Sequence, residues 1–293
     1  MRVNEKVVKS NYKVRAGDVV TVEYPNPVQT FELVPEAMEL DVLFEDDSVL
    51  VINKPSGLVV HPGNGNYTGT LVHGVAYHFL HGPFPVPHLD NTIPRPGLVH
   101  RLDKNTTGVM VLGKTDRAMT HLSNQFYQRT VDRRYTAFAW GDLMEDGTIE
   151  GHIGRNRRDR RIQDVYPDGS EGKHAITHYK VLDRLGPLTV VECKLETGRT
   201  HQIRVHLKHQ RHPLFGDPEY GGNEAVKGAH GGKYLPFLRN CFKILPRQAL
   251  HARSLAFEHP VTGERLTFTS ALPPDMKEIL ARWYNYLGRE LPA

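Results

Sequence analysis

The chain has 293 residues, 39% apolar and 9% aromatic, enough for a sizeable buried core and too apolar for a disordered chain. Its formal net charge is +4, its pI is about 8.9, and its two cysteines, Cys193 and Cys241, lie far apart without metal-ligand spacing. No window approaches about 18 uninterrupted apolar residues, and the opening MRVNEKVVKSNYK lacks an apolar signal core. A membrane span and a secretory leader are therefore not expected, whereas a reducing cytoplasm without a structural disulfide is.

Residues 1–24 alternate as short strands around a turn at Ala16-Gly17-Asp18, and Tyr24 to Ala37 carries three prolines and reads as an extended linker. From Leu40, VLFEDDSVLVINKPSGLVV gives two strand-like runs and a turn at Lys54-Pro55-Ser56-Gly57. LVHGVAYHFL reads as a helix, and HGPFPVPHLDNTIPRPG, with five prolines, as a long irregular connection. VMVLGK is a strand. Asp116 to Gln128 has helical spacing, with Met119, Leu122 and Phe126 on one face. RRYTAFAWG is strand-like, with Tyr135, Ala137 and Ala139 on one side. HAITHYKVLDRLGPLTVVECKLETG reads as a hairpin, and RTHQIRVHLKHQRHP as a helix capped by Thr200 and stopped before Pro213. A glycine-rich loop (Gly221 to Gly232), a strand pair in SLAFEHPVTGERLTFTS and a helix from Met276 to Leu287 complete the chain. Hairpins are interspersed with helices rather than in strict βαβ order, which points to an α+β fold.

The arginines cluster. RNRRDRR, Arg155 to Arg161, holds five in seven residues, and basic groups recur at Arg129, Arg133, Arg134, Arg199, Arg204, Lys208 and Arg211. A polyanion, nucleic acid above all, is the partner such clustering fits; a solvated loop is the alternative for the seven-residue run.

GVMVLGKT, Gly108 to Thr115, satisfies the phosphate-loop pattern G-x-x-x-x-G-K-[ST]. Its four variable positions are Val109, Met110, Val111 and Leu112, apolar β-formers that would be a strand and not a phosphate-wrapping loop, so a nucleotide site is rejected. His201, His206, His209 and His212 lie close together but lack the acid or thiol partners and spacing of a zinc site, so no metal is expected. In HRLDKNTTG, Asp103 sits between Arg101 and Lys104. If the segment is extended, Arg101 and Asp103 share a side, and the basic surroundings would keep the carboxylate ionised, as a nucleophile or base needs. A structural salt bridge explains the same spacing. Tyr135 is likewise open between core and function.

In order, the motifs say more. HRLDKNTTG at 100–108 resembles the signature of the RluA-type pseudouridine synthases. NKPSGLVVHPG at 53–63 is similar to that family's first motif, RRYTAFAWG at 133–141 to its tyrosine segment, LETGRTHQIRVHLKHQRHPLFGDPEYGG at 195–222 to its third motif and ALHARSLAFEHPVTGE at 249–264 to its last. The likeness is greatest to the branch that modifies large-subunit ribosomal RNA. Residues 2–24 resemble the second half of a small RNA-binding module that often precedes this catalytic domain.

The resemblance implies a mixed, largely antiparallel central sheet flanked by helices, with the catalytic cleft across it. It divides the chain into a partial module (1–24), a linker (25–39) and a catalytic domain (40–293). It makes Asp103 the aspartate that starts cleavage of the glycosidic bond, Tyr135 the ring that stacks on the flipped base and helps remove the proton from carbon 5, and Arg204 the partner of Asp103. Arg101 would occupy space near the vacated stack and Leu250 would pack against the base. With RNA as the partner, the basic clusters themselves would bring Arg199, His201, Arg157 and Arg158 into contact with it. The implied product is pseudouridine in structured RNA, ribosomal RNA ahead of transfer RNA, made by a cytoplasmic monomer with no cofactor. A non-catalytic RNA-binding or ribosome-assembly factor on the same fold is the alternative from another class.

Overall fold

The computed structural model describes residues 2–9, 11–22, 33–63, 65–84, 96–224 and 232–291. The chain divides into two compact units. In the small one, β1 (Arg2–Val3) pairs antiparallel with both β2 (Lys6–Val7) and β3 (Val20–Thr21). The proline-rich segments expected as linker and connection, and the tip of the glycine-rich loop, lie mostly outside the described residues.

The large unit is built on a ten-stranded sheet. Its elements are β4 (Val42–Glu45), β5 (Val49–Lys54), α1 (Leu71–His81), β6 (Thr107–Gly113), α2 (Asp116–Gln128), β7 (Asp132–Trp140), β8 (Gly147–Arg155), β9 (Gln163–Tyr166), β10 (Lys173–Arg184), β11 (Leu188–Leu195), α3 (Gln202–His209), α4 (Tyr234–Ile244), β12 (Leu250–Glu258), β13 (Arg265–Thr269) and α5 (Pro274–Tyr286). The strand order is β4-β5-β6-β12-β7-β11-β10-β8-β9, with β13 added beside β12. Among the described residues only the β6–β12 pair is parallel, so the sheet is mixed and largely antiparallel, and the fold is α+β as expected. Alternate residues along a strand point to opposite faces, and here both faces are covered. Leu50, Ile52, Met110, Leu112, Ala137 and Ala139 pack with Val75 and Phe79 of α1 and Leu207 of α3. Val49, Val51, Val109 and Val111 meet Leu122 of α2, while Phe138 and Trp140 join α4 and α5.

Every residue of β6 is buried. The phosphate-loop match is thus a central strand, as its β-forming residues require. Gly108 adopts φ 118° against β12, where a Cβ would collide with the Ala252 carbonyl, so this position in HRLDKNTTG admits glycine alone.

Three differences from the sequence expectations stand out. α3 is capped by His201, not Thr200, because His201 takes the left-handed conformation (φ 56°) and turns its ring toward Tyr220. β8 and β9 had no counterpart, since glycine, histidine and arginine dilute the alternation of β8, and β9 is only four residues, QDVY, beside the arginine run. Nor did α4, whose Pro236 falls in the first turn, where no intrahelical amide bond is lost.

Candidate active site

Asp103 sits on the short loop that enters β6. The loop is a turn, with the Thr106 amide donating to the Asp103 carbonyl at 3.0 Å. Buried cations hold its backbone from behind. Lys54 Nζ donates to the carbonyls of Pro55 (2.7 Å), Leu58 (2.9 Å) and Lys104 (3.0 Å), using all three N–H groups. Arg247 Nη1 donates to the Asn105 carbonyl at 3.0 Å while the same guanidinium grips Asp275 at two points, 2.8 Å each. Burial pulls the Lys54 ammonium down to about 7, against the attraction of Asp103 and with the repulsion of Arg247. Lys54 and Arg247 escape sequence inspection because the loop carbonyls they hold, Lys104 and Asn105, lie 50 and 142 residues away.

The Asp103 carboxylate is 19% exposed and faces a cavity of about 350 Å³. Tyr135, Leu250, Arg101, Arg199, His201 and Arg204 line the same cavity, so seven of the nine residues singled out in the sequence converge there. Arg157 and Arg158 do not; they lie in the loop between β8 and β9. Arg204 Nη1 donates to Asp103 Oδ2 at 3.4 Å, and His201 Nε2 stands 3.9 Å from Oδ1. Arg101 does not pair with Asp103. Both line the cavity, but the exposed Arg101 guanidinium meets His61 Nε2 at 3.2 Å instead.

Arg204 is 3% exposed and its principal grip is on Asp217, through Nε (2.7 Å) and Nη2 (2.8 Å). Nη2 also meets Glu219, and the guanidinium lies 4.9 Å from the Tyr220 ring centroid. Burial opposes the charge, but Asp217, Asp103 and Glu219 together raise its pKa, so Arg204 is a permanent cation. A two-point grip fixes a guanidinium in plane, and its remaining nitrogen is aimed at Asp103. Asp217 is a third residue that sequence reading missed. It lies within the third motif, in LFGDPEYGG, but nothing in that string names its partner.

Tyr135 is buried in β7, opposite Ala252 of β12 and Cys193 of β11. Burial raises its phenol pKa, the Asp103 charge adds to that, and Arg133 opposes it; the hydroxyl is therefore protonated at neutral pH. Leu250 opens β12 within the same apolar cluster. One wall is thus aromatic and aliphatic, and the other presents a carboxylate braced by a guanidinium. Such a cavity suits a flat, polar-edged ring beside an acid.

The family is settled by comparison with known proteins. Residues 48–209 match the model of the RNA pseudouridylate synthase family. The chain is 45% identical over 281 residues to a Bacillus subtilis protein described as an uncharacterized RNA pseudouridine synthase, covering 95% of this chain and 84% of that one. It is 44% identical over 280 residues to the ribosomal large subunit pseudouridine synthase D of Neisseria meningitidis serogroup A, covering 95% and 70%. The solved structure of human RNA pseudouridylate synthase domain containing 4 superposes with a TM-score of 0.63 at 28% identity, covering 86% of this chain and 94% of that one. The chain belongs to the RNA pseudouridylate synthase family, in its RluA-type group. It is an isomerase that converts uridine to pseudouridine in RNA. No helix of the described residues is long and apolar enough to cross a membrane.

Proposed function

We propose that the chain isomerises uridine in large-subunit ribosomal RNA, with Asp103 as the acting carboxylate, Tyr135 and Leu250 as the walls around the uracil, and Arg204 as the group that orients Asp103. The observation that carries this is the convergence of a part-exposed carboxylate, a buried tyrosine and a triply anchored arginine on one cavity. Relatives bearing the ribosomal name supply the substrate class.

The reaction breaks the bond between C1′ and N1 and forms one between C1′ and C5; a proton leaves C5 and N1 gains one. No electron is gained or lost, so the chemistry calls for no redox cofactor. The uridine leaves its stack first, at a cost of a few kcal/mol that phosphate contacts and ring stacking offset. Asp103 then starts glycosidic cleavage. The Arg204 guanidinium donates to the carboxylate and holds its direction. The protonated phenol of Tyr135 offers an uncharged stacking face and a hydroxyl near the reacting ring, with Asp103 as the nearby group able to share its proton.

Exposed Arg157 and Arg158 extend the phosphate-binding surface beyond the cavity, and Arg199 and His201 line its rim. We assign residues 1–24 to the partial RNA-binding module, 25–39 to a linker and 40–293 to the catalytic domain; the three short paired strands support the first of these. Two buried free cysteines fit a cytoplasmic setting. Pseudouridine mapping of total RNA from cells lacking the protein tests the substrate. Loss at one or a few large-subunit positions is expected. Loss confined to transfer RNA, or no loss at all, would contradict the assignment.

A further inference from the structure

The cavity holds two buried guanidiniums in opposite situations. Arg204 is shared among three acids, Asp217, Glu219 and Asp103. Arg133, 8% exposed, has none: no carboxylate of the described residues pairs with it, and its Nε is buried without a hydrogen-bond partner. Its next neighbour on β7, Arg134, takes the acids within reach, Asp132 and Glu192. A buried cation left without an acid is costly to keep unless an anion completes it.

Its surroundings hold it open toward the cavity. Arg133 and Tyr135 are two residues apart on one strand and both line the cavity, about 7 Å apart along it. The guanidinium rests on the Phe126 ring at 5.6 Å, and Phe126 is stacked in turn on His100 (4.6 Å, 22°). His100 Nε2 accepts from the Val111 amide at 3.1 Å, so the ring is a neutral neighbour that neither pairs with nor displaces the cation. Burial, and then the Arg133 charge, hold the His100 pKa down to about 3. On the far side stands Gly198. A Cβ there would come 2.8 Å from Arg133 Nη1, so only glycine leaves the guanidinium its present place.

We infer that Arg133 is the binding residue for a backbone phosphate next to the flipped uridine, completing its unpaired guanidinium with the only anion an RNA substrate carries. The inference rests on the RNA-isomerase reading and adds to it a contact that secures the everted nucleotide by its backbone while Tyr135 holds its base. A guanidinium offers a phosphate a two-point contact that lysine does not reproduce.

A chemical double-mutant cycle tests it. The unmodified large-subunit ribosomal RNA transcript is the kinetic substrate, and a synthetic stem-loop around the uridine it shows to be converted carries one neutral methylphosphonate, 5′ or 3′ of that uridine. In the wild-type protein, neutralising one of these two phosphates is expected to lower kcat/KM by about 10- to 100-fold. Arg133→Gln lowers it similarly on native RNA, reduces the salt slope of binding by about 1, and loses nothing further on the neutral substrate. Arg133→Lys, which keeps the charge, recovers part of the loss. Losses that multiply, or a wild-type protein indifferent to both neutral linkages, would overturn the inference even if Arg133→Gln proved unfolded. A wild-type chain that converts no uridine in the transcript overturns the substrate reading and this inference with it.

Discussion

Asp217 touches no part of the cavity, yet it decides where the Arg204 guanidinium points. Both carboxylate oxygens are used, at 2.7 and 2.8 Å, and the side chain is fully buried. Asp217→Asn leaves a buried cation with half its grip, and the expected loss of unfolding free energy, about 3 kcal/mol, is measurable by urea titration. Arg204→Lys keeps a charge but cannot span Asp217 and reach Asp103 together. It should lower kcat on the order of 10²-fold with RNA affinity little changed, as single-turnover kinetics and filter binding would show. Tyr135→Phe separates the two parts assigned to Tyr135. Stacking survives and the hydroxyl is lost, so affinity is expected to hold while turnover falls roughly 10²-fold or more. An unchanged rate would return Tyr135 to a packing residue alone. At this scale Asp103 was legible through the order of motifs around it. Spacing on its own put Arg101 and Asp103 on one side, and both do line the cavity, but it could not name Arg204, 101 residues away, as the guanidinium that meets the carboxylate.

Single elements place these residues. The Asp103 loop is a backbone turn tied to β5 through Lys54 and to the start of β12 through Arg247 and Gln248, whose Nε2 donates to Thr106 Oγ1 at 3.1 Å. Such ties connect distant segments, and no local pattern announces them; in the sequence Lys54 is simply the first residue of a turn. The hairpin of β8 and β9 illustrates the reverse. Its arginine run was plain in the sequence, while its strands were not. Arg157 pairs with Glu171 at 2.8 Å, both well exposed, so that pair contributes little stability and is readily exchanged for a phosphate. Replacing Arg157 and Arg158 with Gln should leave the unfolding curve in place and reduce the salt slope of RNA binding by about 2, one per phosphate contact. A slope equal to that of the wild type would make this hairpin a solvated loop.

Across the whole molecule, the sheet is covered on both faces, and that burial extends to histidines. His206 and His251 are fully buried, and burial holds both down to about 4, His209 adding to the effect on the first and nearby arginines on the second. The unfolded chain binds their protons from about pH 6.5 downward, whereas the folded chain does so only near pH 4, so stability falls as pH drops through that window. Each contributes a slope of up to about 1.4 kcal/mol per pH unit. Urea unfolding at pH 7 and pH 5 should show a smaller loss for His206→Gln than for the wild type. Fold class, most strands and four of the five helices of the catalytic unit were legible from alternation, helical spacing and turn residues. α4 was not, since a proline in its first turn and a glycine-rich approach look like more loop.

All of this converges on one carboxylate, and pseudouridine formation by Asp103→Asn is its most direct test. The substitution keeps size and shape and removes only the charge that faces Arg204. With unmodified large-subunit ribosomal RNA as substrate, the wild-type protein is expected to form pseudouridine and the variant none, while RNA affinity stays within a few-fold. A variant that still converts uridine would contradict the assignment of Asp103, whatever the rest of the cavity holds.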